Sequence, residues 1–221
     1  MNKLFTTIFA VTVSCAAALS FAQEIKGDAK AGGTKNAMCI GCHGIKGYQS
    51  SFPEVYKVPM ISGQGAKYIV TALNEYKKGD RKYPTMRSIA ASLTDQDMAD
   101  LAAYYSASGV VAGAELPAHP TQEASAEVQS LLGKANCASC HGANFSKPID
   151  PAYPKLAGQH ADYLFVALKA YKTENNPLVG RGNVIMASMA KQYTNAELKV
   201  LATYLSSVDS ELKVVPQSKF R

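Results

Sequence analysis

Two short stretches restrict the possible folds of this chain more than anything else in it. They are Cys39-Ile40-Gly41-Cys42-His43 and Cys137-Ala138-Ser139-Cys140-His141. Two cysteines three residues apart, with a histidine directly after the second, form the attachment signature of c-type haem. The spacing follows from the chemistry: the two thiols add across the vinyl groups of one porphyrin and become thioethers. The adjacent imidazole then lies under the ring and gives a nitrogen to the iron, as a proximal haem ligand does.

The signatures belong to a longer internal repeat. Cys39 and Cys137 are 98 residues apart; Ile61-Ser62-Gly63-Gln64 matches Leu156-Ala157-Gly158-Gln159 at an offset of 95. Tyr68, Leu73, Tyr76 and Lys77 match Tyr163, Leu168, Tyr171 and Lys172 at that same offset. Arg81, Met86, Thr94, Leu101 and Tyr104 match Arg181, Met186, Thr194, Leu201 and Tyr204 at an offset of 100. The drifting offset places a three-residue deletion and a five-residue insertion in the second copy, both where loops should lie. Two copies mean two small domains, because a solenoid needs three or more units. Each is near the size at which a chain benefits from a staple. A covalent haem is such a staple, and an apolar body around which short helices can pack.

The boundaries follow from the repeat. Residues 1–22 read as a cleaved secretory signal: Lys3, the apolar run Leu4 to Leu19, then Ser20-Phe21-Ala22 before Gln23. A retained anchor is the rival reading, but the run is short for a spanning helix. Cys15 falls inside the signal, and Thr12 is a poor residue three places before a lipidated cysteine. Four cysteines then remain, all in CxxCH, leaving none for structural disulfides or a thiolate-based site. The first domain is expected over 23–108, a linker with Pro117 and Pro120 over 109–124, and the second domain with a basic tail over 125–221. The net charge is +6, or +5 without Lys3. That fits a mildly basic surface for acidic partner proteins or anionic headgroups; without a long Lys/Arg run it does not fit nucleic acid.

Helix signals dominate and hairpin signals are absent. Asp28 and Ser125 read as N-caps of the helices leading to the two CxxCH motifs. A second helix is expected over Ala66–Lys78, with its twin over Ala161–Lys172, from apolar residues at helical spacing. Thr94-Asp95-Gln96-Asp97 and Thr194-Asn195-Ala196-Glu197 read as capping boxes. Behind them, Met98, Leu101, Ala102, Tyr105 and Leu198, Leu201, Ala202, Leu205 each make one apolar stripe.

The sixth iron ligand decides the chemistry. A distal Met raises the potential and closes the iron, which suits electron transfer; an open face suits small-molecule chemistry. A Met in isolation is usually core filler, but Met86 and Met186 stand at matched positions downstream of each CxxCH. Met189 is a local rival whose partner, Ile89, cannot ligate. Pro59 and Pro154 are also matched, and two readings stand side by side: a turn or helix-start proline, or a carbonyl that orients the proximal imidazole. Arg81 and Arg181 could pair with haem propionates or be surface residues. His119 and His160 have no repeat partner and carry no assigned role.

With these elements in place, the chain resembles the dihaem cytochrome c4 family over nearly all of its mature length. The resemblance rests on the signal, CIGCHG and CASCHG, PMISGQ and PKLAGQ, PTMRSIAASLTDQD and its degenerate copy VIMASMAKQYTNAE, and the closing helices with AAYYS and ATYLS. It implies an all-α fold of two tandem class I cytochrome c domains related by a pseudo-twofold. It implies His43 with Met86 and His141 with Met186 as axial pairs, and propionate edges facing each other across the lobe interface. It also implies a monomeric periplasmic carrier, loosely membrane-associated, passing electrons from a quinol-oxidising complex of the quinol–cytochrome c reductase type toward a terminal oxidase. Two other classes stay open at this point. One is the cytochrome subunit of a flavin-linked dehydrogenase such as a sulfide dehydrogenase. The other is a dihaem peroxidase or thiosulfate-oxidising enzyme, against which the two methionines and the missing spare cysteine argue.

Overall fold

The computed structural model describes residues 25–216; the signal segment with Cys15 and the end of the basic tail lie outside them. Among the described residues the chain is helical apart from one small two-stranded sheet. The first lobe holds α1 (Ala29–Lys35), α2 (Ala37–His43), α3 (Ala66–Lys78), α4 (Pro84–Ala91) and α5 (Asp95–Ala107). The second repeats the series with α6 (Ala126–Lys134), α7 (Ala138–His141), α8 (Ala161–Ala170), α9 (Val184–Ala190) and α10 (Asn195–Ser207). Residues 108–125 join them without helix or strand. Asn144 Nδ2 fastens this segment to the second lobe by donating to the Pro117 carbonyl at 2.7 Å. No described helix is long and apolar enough to cross a membrane.

Local chemistry accounts for the helix ends. Asp28 accepts from the Lys30 and Ala31 amides, and Ser125 from that of Val128. Both capping boxes are formed: Thr94 with Asp97 and Thr194 with Glu197. The apolar stripes of α5 and α10 are fully buried, each large side chain contributing roughly 1.5–3 kcal/mol. In the first lobe that stripe meets Ile69, Leu73, Ala90 and Leu93 in one core, against which Cys39 and Met86 pack.

Two elements differ from the sequence reading. The twin helix stops at Ala170, two residues short of Lys172. In the first lobe Gly79 closes α3 in the left-handed conformation (φ 88°); its repeat partner is Glu174, which cannot take that role cheaply. The chain peels away instead into the inserted loop, and the Arg181 amide takes the Ala170 carbonyl. A hairpin also exists: β1 (Gln49–Ser50) pairs antiparallel with β2 (Tyr56–Lys57). Strands of two residues are too short to carry an alternating pattern.

The α1–α5 crossing depends on Gly32. A Cβ there would stand 2.1 Å from the Asp100 carbonyl oxygen and 2.7 Å from Tyr104 Cβ. The first of these is backbone, so no rotamer change relieves it. Gly32→Ala should lower stability by about 1–3 kcal/mol, read from the denaturant midpoint of the haem-loaded protein. The buried Asp100 carboxylate accepts from Lys35 Nζ at 2.6 Å and from the Asp28 amide and Gln96 Nε2 at 2.8 Å. These contacts, Lys35 foremost, hold its pKa below the ordinary range. A depressed folded pKa stabilises above the unfolded value, about 3.9, and that contribution is lost as pH falls through the folded one. Asp100→Asn should therefore destabilise at neutral pH and flatten the fall in stability below about pH 4, followed by thermal melts across pH.

Candidate haem sites

Each CxxCH lies at a helix end. Cys39, Cys42 and His43 finish α2, while Cys137 caps α7 and His141 ends it. Residues three apart share a helix face, so one helical turn presents both thiols of a motif to the same side. The four cysteines form no disulfide. Burial pushes the Cys39 thiol up to about 11 and raises Cys137, so neither is a ready thiolate.

The histidines are fixed with equal economy. His43 Nδ1 donates to the Pro59 carbonyl at 2.8 Å, and His141 Nδ1 to the Pro154 carbonyl at 3.1 Å. A carbonyl only accepts, so Nδ1 carries the proton and Nε2 keeps its lone pair. Burial lowers both imidazole pKa values and favours this neutral form. Among the described residues neither Nε2 makes a hydrogen bond. Apolar side chains stand exposed near the motifs, Met38 and Ile45 in the first lobe and Ile149 in the second. The Tyr105 hydroxyl is buried and faces the Cys39 thiol. Two thiols on one helix face, an imidazole with its tautomer set and an apolar surround fit a covalent haem in each lobe.

The matched methionines fall on matched helices. Met86, half-buried, lies on α4; Met186, half-buried, lies on α9, where Asn183 accepts from its amide at 3.0 Å. The rival Met189, likewise half-buried, has its sulfur 3.7 Å from Gln192 Nε2.

The two arginines meet at the junction of the lobes. Their backbones form an antiparallel bridge, in which the Lys82 amide donates to Gly180 O at 3.1 Å and the Gly182 amide to Asp80 O at 2.8 Å. Arg81 is 6% exposed, pairs with Glu75 at 2.5 Å and stacks on Tyr68 and Tyr76. Arg181 stacks on Tyr163 and Tyr171 and donates to the Tyr163 hydroxyl at 3.0 Å. Arg181 has no carboxylate partner among the described residues. Burial pushes the Tyr68 phenol up to about 12. At Tyr163 burial acts the same way but is outweighed by the Arg181 and Arg81 charges, which hold that phenol below its usual value. A cavity of about 40 Å³, lined by Tyr56, Tyr76, Arg81, Tyr163 and Arg181, lies at the junction and has room for water. The tyrosine clamps and the two glutamines beside them (Gln64, Gln159) had no role assigned from sequence. Their one signal was presence in both copies.

Comparison with known proteins agrees with this geometry. Residues 31–106 and 125–209 each match the family model described as Cytochrome c. Fold and repeat together define a tandem class I c-type cytochrome carrying two covalent haem c groups and transferring electrons. The cytochrome c4 of Azotobacter vinelandii is 32% identical over 196 residues, which span 82% of this chain and 90% of that protein. The crystal structure of reduced recombinant cytochrome c4 from Pseudomonas stutzeri matches with a TM-score of 0.59 at 27% identity, over 83% of this chain and all of that one (100%). A thiosulfate dehydrogenase electron acceptor from Stutzerimonas stutzeri (strain A1501) is 28% identical over 77% of this chain and 78% of that protein. The chain belongs to the cytochrome c4 family.

Proposed function

We propose that this chain is a periplasmic two-centre electron carrier, fed by a quinol–cytochrome c reductase-type complex and discharging toward a terminal oxidase. Cys39 and Cys42 would hold one haem and Cys137 and Cys140 the other; His43 with Met86 and His141 with Met186 would ligate the two irons. The observation that supports this best is the state of the imidazoles. Each has Nδ1 committed to a proline carbonyl and Nε2 left with a free lone pair, and each lobe places a methionine on the equivalent helix. The bound groups supply one-electron iron chemistry, and the residues set its conditions. A methionine thioether together with the imidazole would raise the potential and close the iron to exogenous ligands. Met186 is favoured over Met189 because the Met189 sulfur already faces Gln192.

Arg81 and Arg181 are assigned to the haem propionates. Two guanidiniums meet at the lobe junction, where Glu75 pairs with Arg81 and no carboxylate among the described residues pairs with Arg181. A shielded cation needs an anion, and a propionate in each lobe would supply it. Export through residues 1–22 and a net +5 surface for acidic partners or anionic headgroups complete the reading. A second donor is also supported, since one relative is named as the electron acceptor of a thiosulfate dehydrogenase. The two readings share all redox chemistry and differ in the donor. Rapid mixing of the oxidised protein with each candidate donor tells them apart: faster reduction by a thiosulfate dehydrogenase turning over thiosulfate would displace the quinol-oxidising complex.

Met86→Ala should lower the potential of one haem, within the roughly 0.8 V that axial ligation spans, and open its reduced iron to carbon monoxide. Failure of carbon monoxide to bind the reduced variant would remove Met86 as a ligand. Thiol alkylation of the unfolded, haem-loaded mature protein should label none of its four cysteines, checked by intact mass; one labelled cysteine per motif would mean single-thioether attachment.

A further inference from the structure

Gln64 and Gln159 are each 3% exposed, and both reach across to the opposite lobe. Gln159 Oε1 accepts from the Met60 amide and its Nε2 donates to the Met60 carbonyl, both at 2.9 Å. Gln64 does the same to Lys155, accepting from the amide at 2.9 Å and donating to the carbonyl at 3.0 Å. The backbone amides can only donate, so the orientation of each side chain is fixed.

Met60 and Lys155 directly follow Pro59 and Pro154. One peptide group therefore carries both bonds: its oxygen accepts from the proximal histidine of its own lobe, and its N–H donates to the glutamine of the other. The first chain runs His43 Nδ1–H to Pro59 C=O, then Met60 N–H to Gln159 Oε1. The second runs His141 Nδ1–H to Pro154 C=O, then Lys155 N–H to Gln64 Oε1. Hydrogen bonds in series polarise one another. A peptide whose N–H is engaged offers a more negative carbonyl oxygen, which draws more strongly on the imidazole proton. The imidazole becomes a more electron-rich ligand and favours the oxidised iron.

We infer that Gln64 and Gln159 are crossed positioning residues: each sets the orientation and donor strength of the proximal histidine, and so the reduction potential, in the lobe to which it does not belong. This rests on the reading of His43 and His141 as axial ligands. It makes the docking of the lobes part of each redox centre, so a change in how they meet alters both potentials.

The test uses the full haem-loaded chain. Haem-methyl NMR signals followed through a redox titration give each potential separately, and Met86→Ala assigns the signals to lobes. Gln159→Met, which keeps the length and removes both polar groups, should raise the potential of the His43 haem more than that of the His141 haem. Gln64→Met should do the reverse. Equal shifts in both haems, a shift confined to the substituted residue's own lobe, or no shift overturns the inference. Should the variants fail to fold, hydrogen exchange on the unmodified protein decides: the Met60 and Lys155 amides should be protected in both oxidation states, and rapid exchange of either overturns it. A wild-type spectrum without His–Met features would overturn the axial reading as well; unmoved potentials with those features intact sink the crossed effect alone.

Discussion

Everything around each redox centre depends on a hydrogen bond from an imidazole Nδ1 to the carbonyl of a proline, Pro59 in one lobe and Pro154 in the other. The bond decides which nitrogen holds the proton, which way the ring faces and which lone pair is free. CxxCH alone brings a histidine next to two thiols at the end of a short helix, where the ring could still turn. The proline carbonyl removes that freedom. The segment bearing the proline is held in turn by backbone bonds from Gly63 to Tyr105 and from Gly158 to Leu205, which fasten it to the closing helix of its own lobe. Capping boxes, apolar stripes and the α1–α5 crossing thus all converge on the position of one carbonyl oxygen per lobe.

The duplication gives the molecule a second property. The contacts between the lobes come in reciprocal pairs, Gln64 with Lys155 against Gln159 with Met60, and Arg81 against Arg181. This is the expected signature of a pseudo-twofold, where a patch meets its own copy. Single contacts decorate it: Lys155 Nζ donates to the Gly63 carbonyl at 2.9 Å, and Lys169 pairs with Glu54. The lobes are therefore joined through the buried and hydrogen-bonded Gln64 and Gln159, which specifies one relative placement more sharply than apolar contact would.

Much of this was legible in the sequence because it is local. Thr94 and Thr194 announce their helices by side chains three residues away, and the stripes behind them have the helical period. Cys39 through His43 carries its chemistry in five consecutive residues. What the sequence withheld depends on partners far along the chain. Gln64 was visible as a repeated residue, but its bond to Lys155 spans 91 positions, and no periodicity encodes it. Pro59 could be read equally as a turn residue until its carbonyl was found against His43. The hairpin of Gln49–Ser50 with Tyr56–Lys57 was too short to leave a pattern. The early end of α8 turned on the absence of a glycine where α3 has Gly79.

The central claim is that both irons are closed by a histidine and a methionine, making this a carrier with two equivalent centres. The near-infrared and red-edge absorption of the fully oxidised protein tests that most directly, because a methionine bound to ferric iron gives its own charge-transfer band. The account predicts an intensity per chain that corresponds to two such irons, with no high-spin component. An intensity corresponding to one iron, or a high-spin signal from either, would contradict it.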